Sequence, residues 1–285
     1  MSGPALIKTH SYGKSDVRLM KVERHGALHY LKDLTISIQM SGAFQAAFCD
    51  GDNRLVVPTD TMKNTVYAFA GQKCMGEIEE FGMRLAGHFL QRHPHICRIQ
   101  VHIFENLWKR ISYEGSPQEN SFQSAGAERR EATVEGDHNG MTIKAAIQDL
   151  VILKAARSAF ENFLRDEYTT LKETRDRILG TTVKAEWSYL PPPENFREAW
   201  KTVRRVLLET FAAHDSHSVQ HTLYALGQAV LQQCDFVADI RLSMPNRHCL
   251  PVDLSPFHLE NRNEVFVPID EPSGLIEATL ARPCA

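Results

Sequence analysis

The order of its apolar patterns constrains this chain most: strand, strand, helix, helix, strand, strand, and then that order again without evident sequence identity. Residues 17 to 22 and 30 to 40 read as strands. In the second, Leu34, Ile36, Ile38 and Met40 alternate with Thr35, Ser37 and Gln39, which buries one face. Residues 44 to 49 continue the extended pattern, and Asp50-Gly51-Asp52-Asn53 is a turn signal. Two helices follow, with faces Met62, Val66, Phe69 and then Ile78, Phe81, Leu85, Phe89. Ile99, Val101 and Ile103 mark a strand, residues 113 to 121 a turn-rich connection, and residues 132 to 135 a further strand. The second half opens with a strand over 141 to 155, a charged connection over 160 to 177, and a strand carrying Val183, Ala185 and Trp187. Its helices present Trp200, Val203, Leu207, Phe211 and then Val219, Leu223, Leu226, Val230, with Ser216 or Ser218 as the cap between them. Strands over 236 to 242 and 249 to 254 close the pattern. Two such halves predict an α+β chain of tandem modules, 1–140 and 141–285, with antiparallel sheets and paired helices on one face. The edges of such sheets need covering, often by other subunits.

A length of 285 residues is ample for two ordinary domains, and a formal net charge of −3 gives no basic field for nucleic acid. No apolar run approaches the ~20 residues that span a bilayer, and residues 1 to 10 lack a signal-peptide core. Cysteines at 49, 74, 97, 234, 249 and 284 form no Cys-x-x-Cys pair and read as reduced thiols of a cytosolic protein. The tail Ala281-Arg282-Pro283-Cys284-Ala285 is not a Ser-Lys-Leu-type peroxisomal address. Tyr12-Gly13-Lys14-Ser15 lacks the upstream glycine of a phosphate loop.

One junction stands out. Val56-Val57 end an apolar strand, Pro58 forbids its continuation as an interior strand, and Thr59 and Asp60 are preferred N-cap residues for the helix that follows. A hydroxyl and a carboxylate thus sit where unpaired N–H groups and the helix dipole favour an anion. On spacing alone, Thr59 is a helix cap.

Five segments, in order, carry a resemblance: Tyr12-Gly13-Lys14; Thr59-Asp60 with Lys63-Asn64-Thr65; Phe160 with the run from Phe163 through Tyr168 to Thr174; Ser218-Val219-Gln220; and Pro245-Asn246-Arg247-His248. Together they resemble the urate oxidase (uricase) family. The resemblance implies two tunnelling-fold (T-fold) modules per chain, subunits joined edge to edge into a β-barrel, and a homotetramer. It implies conversion of urate, O₂ and water to 5-hydroxyisourate and hydrogen peroxide in purine degradation, with no metal or organic cofactor. The eukaryotic members usually carry the peroxisomal address, so the tail favours a bacterial, cytoplasmic protein.

The resemblance also implies roles. Lys14 and Thr59 form the base system, and His248 completes the relay. Arg177 clamps one purine edge with its planar donor fork and Gln220 reads the opposite edge. Phe160 stacks on the ring; Val219 and Asp60 offer backbone N–H groups at helix starts, beside Ser218. Asn246, two residues from His248 and on the same face if the segment is extended, holds O₂, peroxide or water over the ring. Lys14, Thr59, Asp60 and His248 would face Phe160, Arg177, Val219 and Gln220 of a neighbouring subunit.

Two other readings stay open. His214, His217 and His221, at i, i+3 and i+7, can place imidazoles on one helix face and suggest a metal-dependent relative. A pterin- or purine-binding T-fold protein without this chemistry is the second.

Overall fold

The computed structural model describes residues 5–72 and 75–283, except for the side chain of Asp270. Cys74, Cys284 and the last residues of the tail lie outside the described residues. The chain divides after Ala145 into two compact units.

The first unit starts with a hairpin of β1 (Tyr12–His25) and β2 (Leu28–Gly42). Three helices follow, α1 (Gln45–Cys49), α2 (Thr59–Gly71) and α3 (Ile78–Arg92). A second hairpin, β3 (Ile96–Tyr113) and β4 (Ser116–Gly136), completes an antiparallel sheet in the order β1-β2-β3-β4. The alternation in β2 is borne out: Leu34, Ile36, Ile38 and Met40 are all buried, as are Ile99, Val101 and Ile103 of β3 and Ala132 and Val134 of β4. Against this apolar face α3 lays Ile78, Phe81, Leu85 and Phe89, each without solvent exposure. Burying four large side chains along one helix contributes several kcal/mol, at roughly 1.5–3 kcal/mol each, and fixes the helix on the sheet.

Three readings of this unit need correction. Residues 44 to 49 are not extended: α1 occupies 45 to 49, with Phe44 buried just before it. The supposed connection over 113 to 121 is the tip of the β3–β4 hairpin, where Glu114 and Gly115 both take positive φ (49° and 80°), the two-residue turn whose twist matches the strands. Residues 54 to 57 join no strand ladder, and helix α2 has Pro58, not Thr59, at its N-cap position.

The second unit takes in most of β5 (Met141–Lys154), then β6 (Leu179–Tyr189), α4 (Phe196–Ala213), α5 (Val219–Gln233) and β7 (Val237–Ser243). After these come β8 (Asn246–Pro251), β9 (Phe266–Gly274) and β10 (Glu277–Ala281). The sheet order is β5-β6-β7-β10, while β8 pairs with the start of β6 and with β9. Val183, Ala185 and Trp187 of β6 are buried, as are Trp200, Val203, Leu207 and Phe211 of α4 and Val219, Leu223, Leu226 and Val230 of α5. Trp200 donates its indole N–H to the Ala146 carbonyl at 3.1 Å, so the largest side chain of α4 is buried with its polar atom satisfied. Strands β9 and β10 were not predicted, and β8 begins at 246 rather than 249. The α+β class with antiparallel sheets is as predicted; the second unit has its pair of helices, and α1 adds a third to the first unit. Among the described residues no helix is long and apolar enough to cross a membrane.

Candidate active site

Strand β1 delivers Lys14 from a strained start. Gly13 lies so close to β2 that a Cβ would meet the Ile38 carbonyl oxygen at 1.8 Å. The register of the β1–β2 ladder then shifts between Lys14 and Val17, where Asp16 takes a φ of 56° and donates its N–H to the Ser37 hydroxyl at 3.0 Å. A bulge of this kind re-aims the side chains beside it. Helix α2 delivers Thr59 and Asp60 in its first turn, both exposed. Because Pro58 occupies the capping position, the Thr59 hydroxyl is not committed to closing the helix end. The Asp60 carboxylate bonds Lys63 and Asn64, one helical turn on, and its pKa is lowered by the Lys63 hydrogen bond first and by the charge of nearby Lys14 least. Lys14 and the start of α2 are therefore neighbours.

Four residues in the second unit are gathered by one short segment. Ser158 pairs with Ser216, and Phe160 with Thr174, as isolated bridges. The Ala159 N–H donates to the Ser216 carbonyl at 2.7 Å, and the Arg177 N–H to the Ser158 carbonyl at 2.8 Å. The Ser216 hydroxyl in turn donates to the Ser218 carbonyl at 3.1 Å. So the backbone carrying Phe160 is tied on one side to Arg177 and on the other to the start of α5. There Ser218 is the N-cap, accepting the His221 N–H at 3.0 Å, which settles the choice between Ser216 and Ser218. Val219 is buried in the first turn, and Gln220 beside it is exposed.

The Arg177 guanidinium lies 5.1 Å from the centre of the Phe160 ring. Its Nε is buried with no hydrogen-bond partner among the described residues, and burial pushes the pKa of the guanidinium down. A planar cation stacked on an aromatic face, partly desolvated and with an unmet donor, is an arrangement that a flat anion would complete. Phe163 stacks on Phe160 at 4.9 Å and so holds the ring's orientation.

Asn246 and His248 form the third group. Both lie in β8, so their side chains share a face, and the Asn246 amide is 3.4 Å from His248 Nδ1. Asn246 is 9% exposed and faces Thr181 across the ladder. A buried amide next to an imidazole suits the handling of a small polar molecule.

His214 caps the end of α4, His217 lies in the loop after it and His221 is in α5, so the three do not share one helix face. His214 and His217 each pack a ring on His221, at 4.5 Å and 5.3 Å, and His221 Nδ1 accepts the His217 N–H at 3.4 Å. Among the described residues no group of three or more His, Cys, Asp or Glu side chains could hold a metal ion.

The family profile described as Uricase matches residues 10–135 and 143–277. The chain belongs to the uricase family. It is 41% identical over 277 residues to a uricase of Arthrobacter globiformis, spanning 97% of this chain and 90% of that one. It is 36% identical to a uricase of Aspergillus flavus, with 97% of each chain covered. The crystal structure of the A. globiformis uricase superposes with a TM-score of 0.93 at 40% identity, over 99% of this chain and 97% of that one. The three residue groups described above all lie within the stretches that the uricase profile matches.

Proposed function

We propose that this chain is a urate oxidase, converting urate, O₂ and water to 5-hydroxyisourate and hydrogen peroxide. The observation that carries the reading is the stacked, partly desolvated Arg177–Phe160 pair beside the start of α5, in a chain of the uricase family. Urate is a flat purine anion. Phe160 takes its face, Arg177 one edge through two parallel N–H donors, and Gln220 the other edge, with the Val219 N–H at the helix start adding a donor.

The reaction needs a proton removed from bound urate. The Thr59 hydroxyl is too weak an acid to act alone at neutral pH, so Lys14 in its neutral form takes the proton and His248 receives or returns it. Two electrons pass from urate to O₂, which leaves with two protons as hydrogen peroxide. Water then adds its hydroxyl to the oxidised ring and its other proton to the ring system, which balances the equation. Asn246 holds the small oxygen species over the ring, and Asp60 offers its backbone N–H. No metal or organic cofactor has a role in this scheme.

The working unit in this reading is a homotetramer. Lys14, Thr59, Asp60 and His248 of one subunit face Phe160, Arg177, Val219 and Gln220 of its neighbour. Strand β1 at the end of its sheet order and the exposed Leu164 (95%) and Tyr168 (82%) in the family's signature run support an assembled state. A cytoplasmic location fits the free thiols of Cys49, Cys97, Cys234 and Cys249.

The test is the ultraviolet absorbance of urate incubated in air with metal-stripped protein, with peroxide followed in parallel. Equimolar loss of urate and gain of peroxide is expected. No urate loss by folded protein that still binds a urate analogue would leave a purine-binding member without turnover and would overturn the reading.

A further inference from the structure

Tyr12 begins β1, two residues before Lys14, and its phenol reaches 45 residues along the chain to Val57, two residues before Thr59. The phenol oxygen accepts the Val57 N–H at 2.8 Å and donates its own proton to the Val57 carbonyl at 3.2 Å. Both polar groups of one buried backbone residue are thus met by one side chain. An extended residue points its N–H and C=O to the same side, where a neighbouring strand would normally meet them. Here a phenol takes the place of that strand at Val57.

The tie is braced. The Tyr12 ring stands edge-on to the buried Phe44 ring, with centroids 4.8 Å apart and planes at 90°. Burial is also the main influence on the phenol, pushing its pKa up, so the hydroxyl stays protonated and able to donate. Tyr12 and Lys14 share one side of β1 by the alternation of a strand, and Gly13 between them is pinned against Ile38.

We infer that Tyr12 is a positioning residue for the base system: its double hydrogen bond to Val57 sets the spacing between Lys14 on β1 and Thr59 on α2. This rests on the proposed roles of Lys14 and Thr59. Proton transfer requires hydrogen-bond reach, and a misplacement of about 1 Å can cost about a hundred-fold in rate. Without the phenol, β1 and the start of α2 keep their own hydrogen bonds but lose the link nearest to both groups.

The experiment compares Tyr12→Phe, Phe44→Leu, Lys14→Met and Thr59→Ala in the full-length protein, measuring kcat, KM, 8-azaxanthine binding and the pH profile of kcat. Tyr12→Phe keeps the ring against Phe44 and removes both hydrogen bonds. It is expected to lower kcat by about ten- to a hundred-fold while 8-azaxanthine affinity stays within about two-fold. Phe44→Leu loosens the brace and should show the same split to a smaller degree; it decides the matter if Tyr12→Phe does not fold. The pH profile of kcat in Tyr12→Phe should keep the inflections of the parent protein at a lower height, because the phenol places groups and does not titrate. Loss or displacement of an inflection in Tyr12→Phe would make Tyr12 a titrating group and overturn the inference. Unchanged kcat in Tyr12→Phe, or equal losses of kcat and 8-azaxanthine affinity, would also overturn it. Full turnover in Lys14→Met and Thr59→Ala would instead defeat the base assignment, and the positioning role with it.

Discussion

Arg177 holds its guanidinium 5.1 Å from the centre of the Phe160 ring, and its Nε is buried with no partner among the described residues. The cost of leaving that donor unmet is borne by the rest of the fold, which ties the two residues through the Arg177 N–H donated to the Ser158 carbonyl. A ligand with the right acceptor recovers that cost on binding.

Replacing Arg177 by Lys keeps a positive charge but removes the planar fork and the stack. Arg177→Lys is expected to raise KM for urate by about ten- to a hundred-fold with a smaller fall in kcat, read from steady-state kinetics. Phe160→Leu should raise KM less, because an apolar contact survives. An unchanged KM in Arg177→Lys would remove Arg177 from the substrate's reach.

Lys14→Met and Thr59→Ala remove opposite ends of the proposed proton transfer. Each is expected to lower kcat by about a hundred-fold or more, the usual contribution of acid–base catalysis, with analogue binding changed only a few-fold. Calorimetric binding of a urate analogue alongside turnover separates the two effects. Parallel loss of both would make these residues binders.

A different cluster governs stability. Arg130 of β4 is fully buried among Glu77, Glu79 and Glu105; it bonds Glu79 at 2.6 Å and approaches Glu105 at 3.4 Å. Burial opposes its charge, but Glu79, Glu105 and Glu77 together more than offset this and raise its pKa. Arg130→Met leaves buried carboxylates uncompensated and should destabilise by about 3–5 kcal/mol in urea unfolding. Burial, only partly countered by Arg130, raises the pKa of Glu79. Stability linked to this carboxyl is therefore full at pH below the ordinary value of 4.5 and is lost as pH rises through its folded pKa. Glu79→Gln should flatten this pH dependence, read from urea unfolding at several pH values.

Burial pushes the Cys234 thiol up to about 11 from its ordinary 9.0. The fold keeps the thiol neutral, so its contribution is full below pH 9.0 and is lost as pH climbs towards about 11. In a disulfide-exchange assay at pH 8, exposed Cys49 and Cys97 should react at once and Cys234 only after unfolding, which single-cysteine variants resolve. Fast labelling of Cys234 in the folded protein would contradict this.

Legibility in the sequence followed burial. Strand β2 and helices α4 and α5 each have one apolar face against a core, so their periods could be read directly. The pairing of Asn246 with His248 followed from their spacing once β8 is a strand. Helix α1 escaped because five residues with none buried carry no period. The tips of β3 and β4 escaped for a related reason: Glu114 to Asn120 have no consistently buried face, and the backbone there is held by its ladder and by Arg110, which donates to the Gln118 and Glu119 carbonyls. Thr59 was read as a cap because capping residues are recognised by type, whereas the chain uses Pro58 at that position. Arg130 gave no signal at all, since Glu128-Arg129-Arg130-Glu131 reads as a solvated run until the fold buries its third and fourth members. The link from Tyr12 to Val57 spans too much chain for any local pattern to report.

The close approach at Gly13 bears on how this chain can vary through descent. Any side chain there must displace the Ile38 carbonyl, since the smallest addition already overlaps it. Every missense change of a glycine codon adds a side chain, so every missense allele at this codon would displace the strand that carries Lys14. Lineages that keep the enzyme would then be expected to have purged them, and a copy of the gene freed from selection would be expected to accumulate them early.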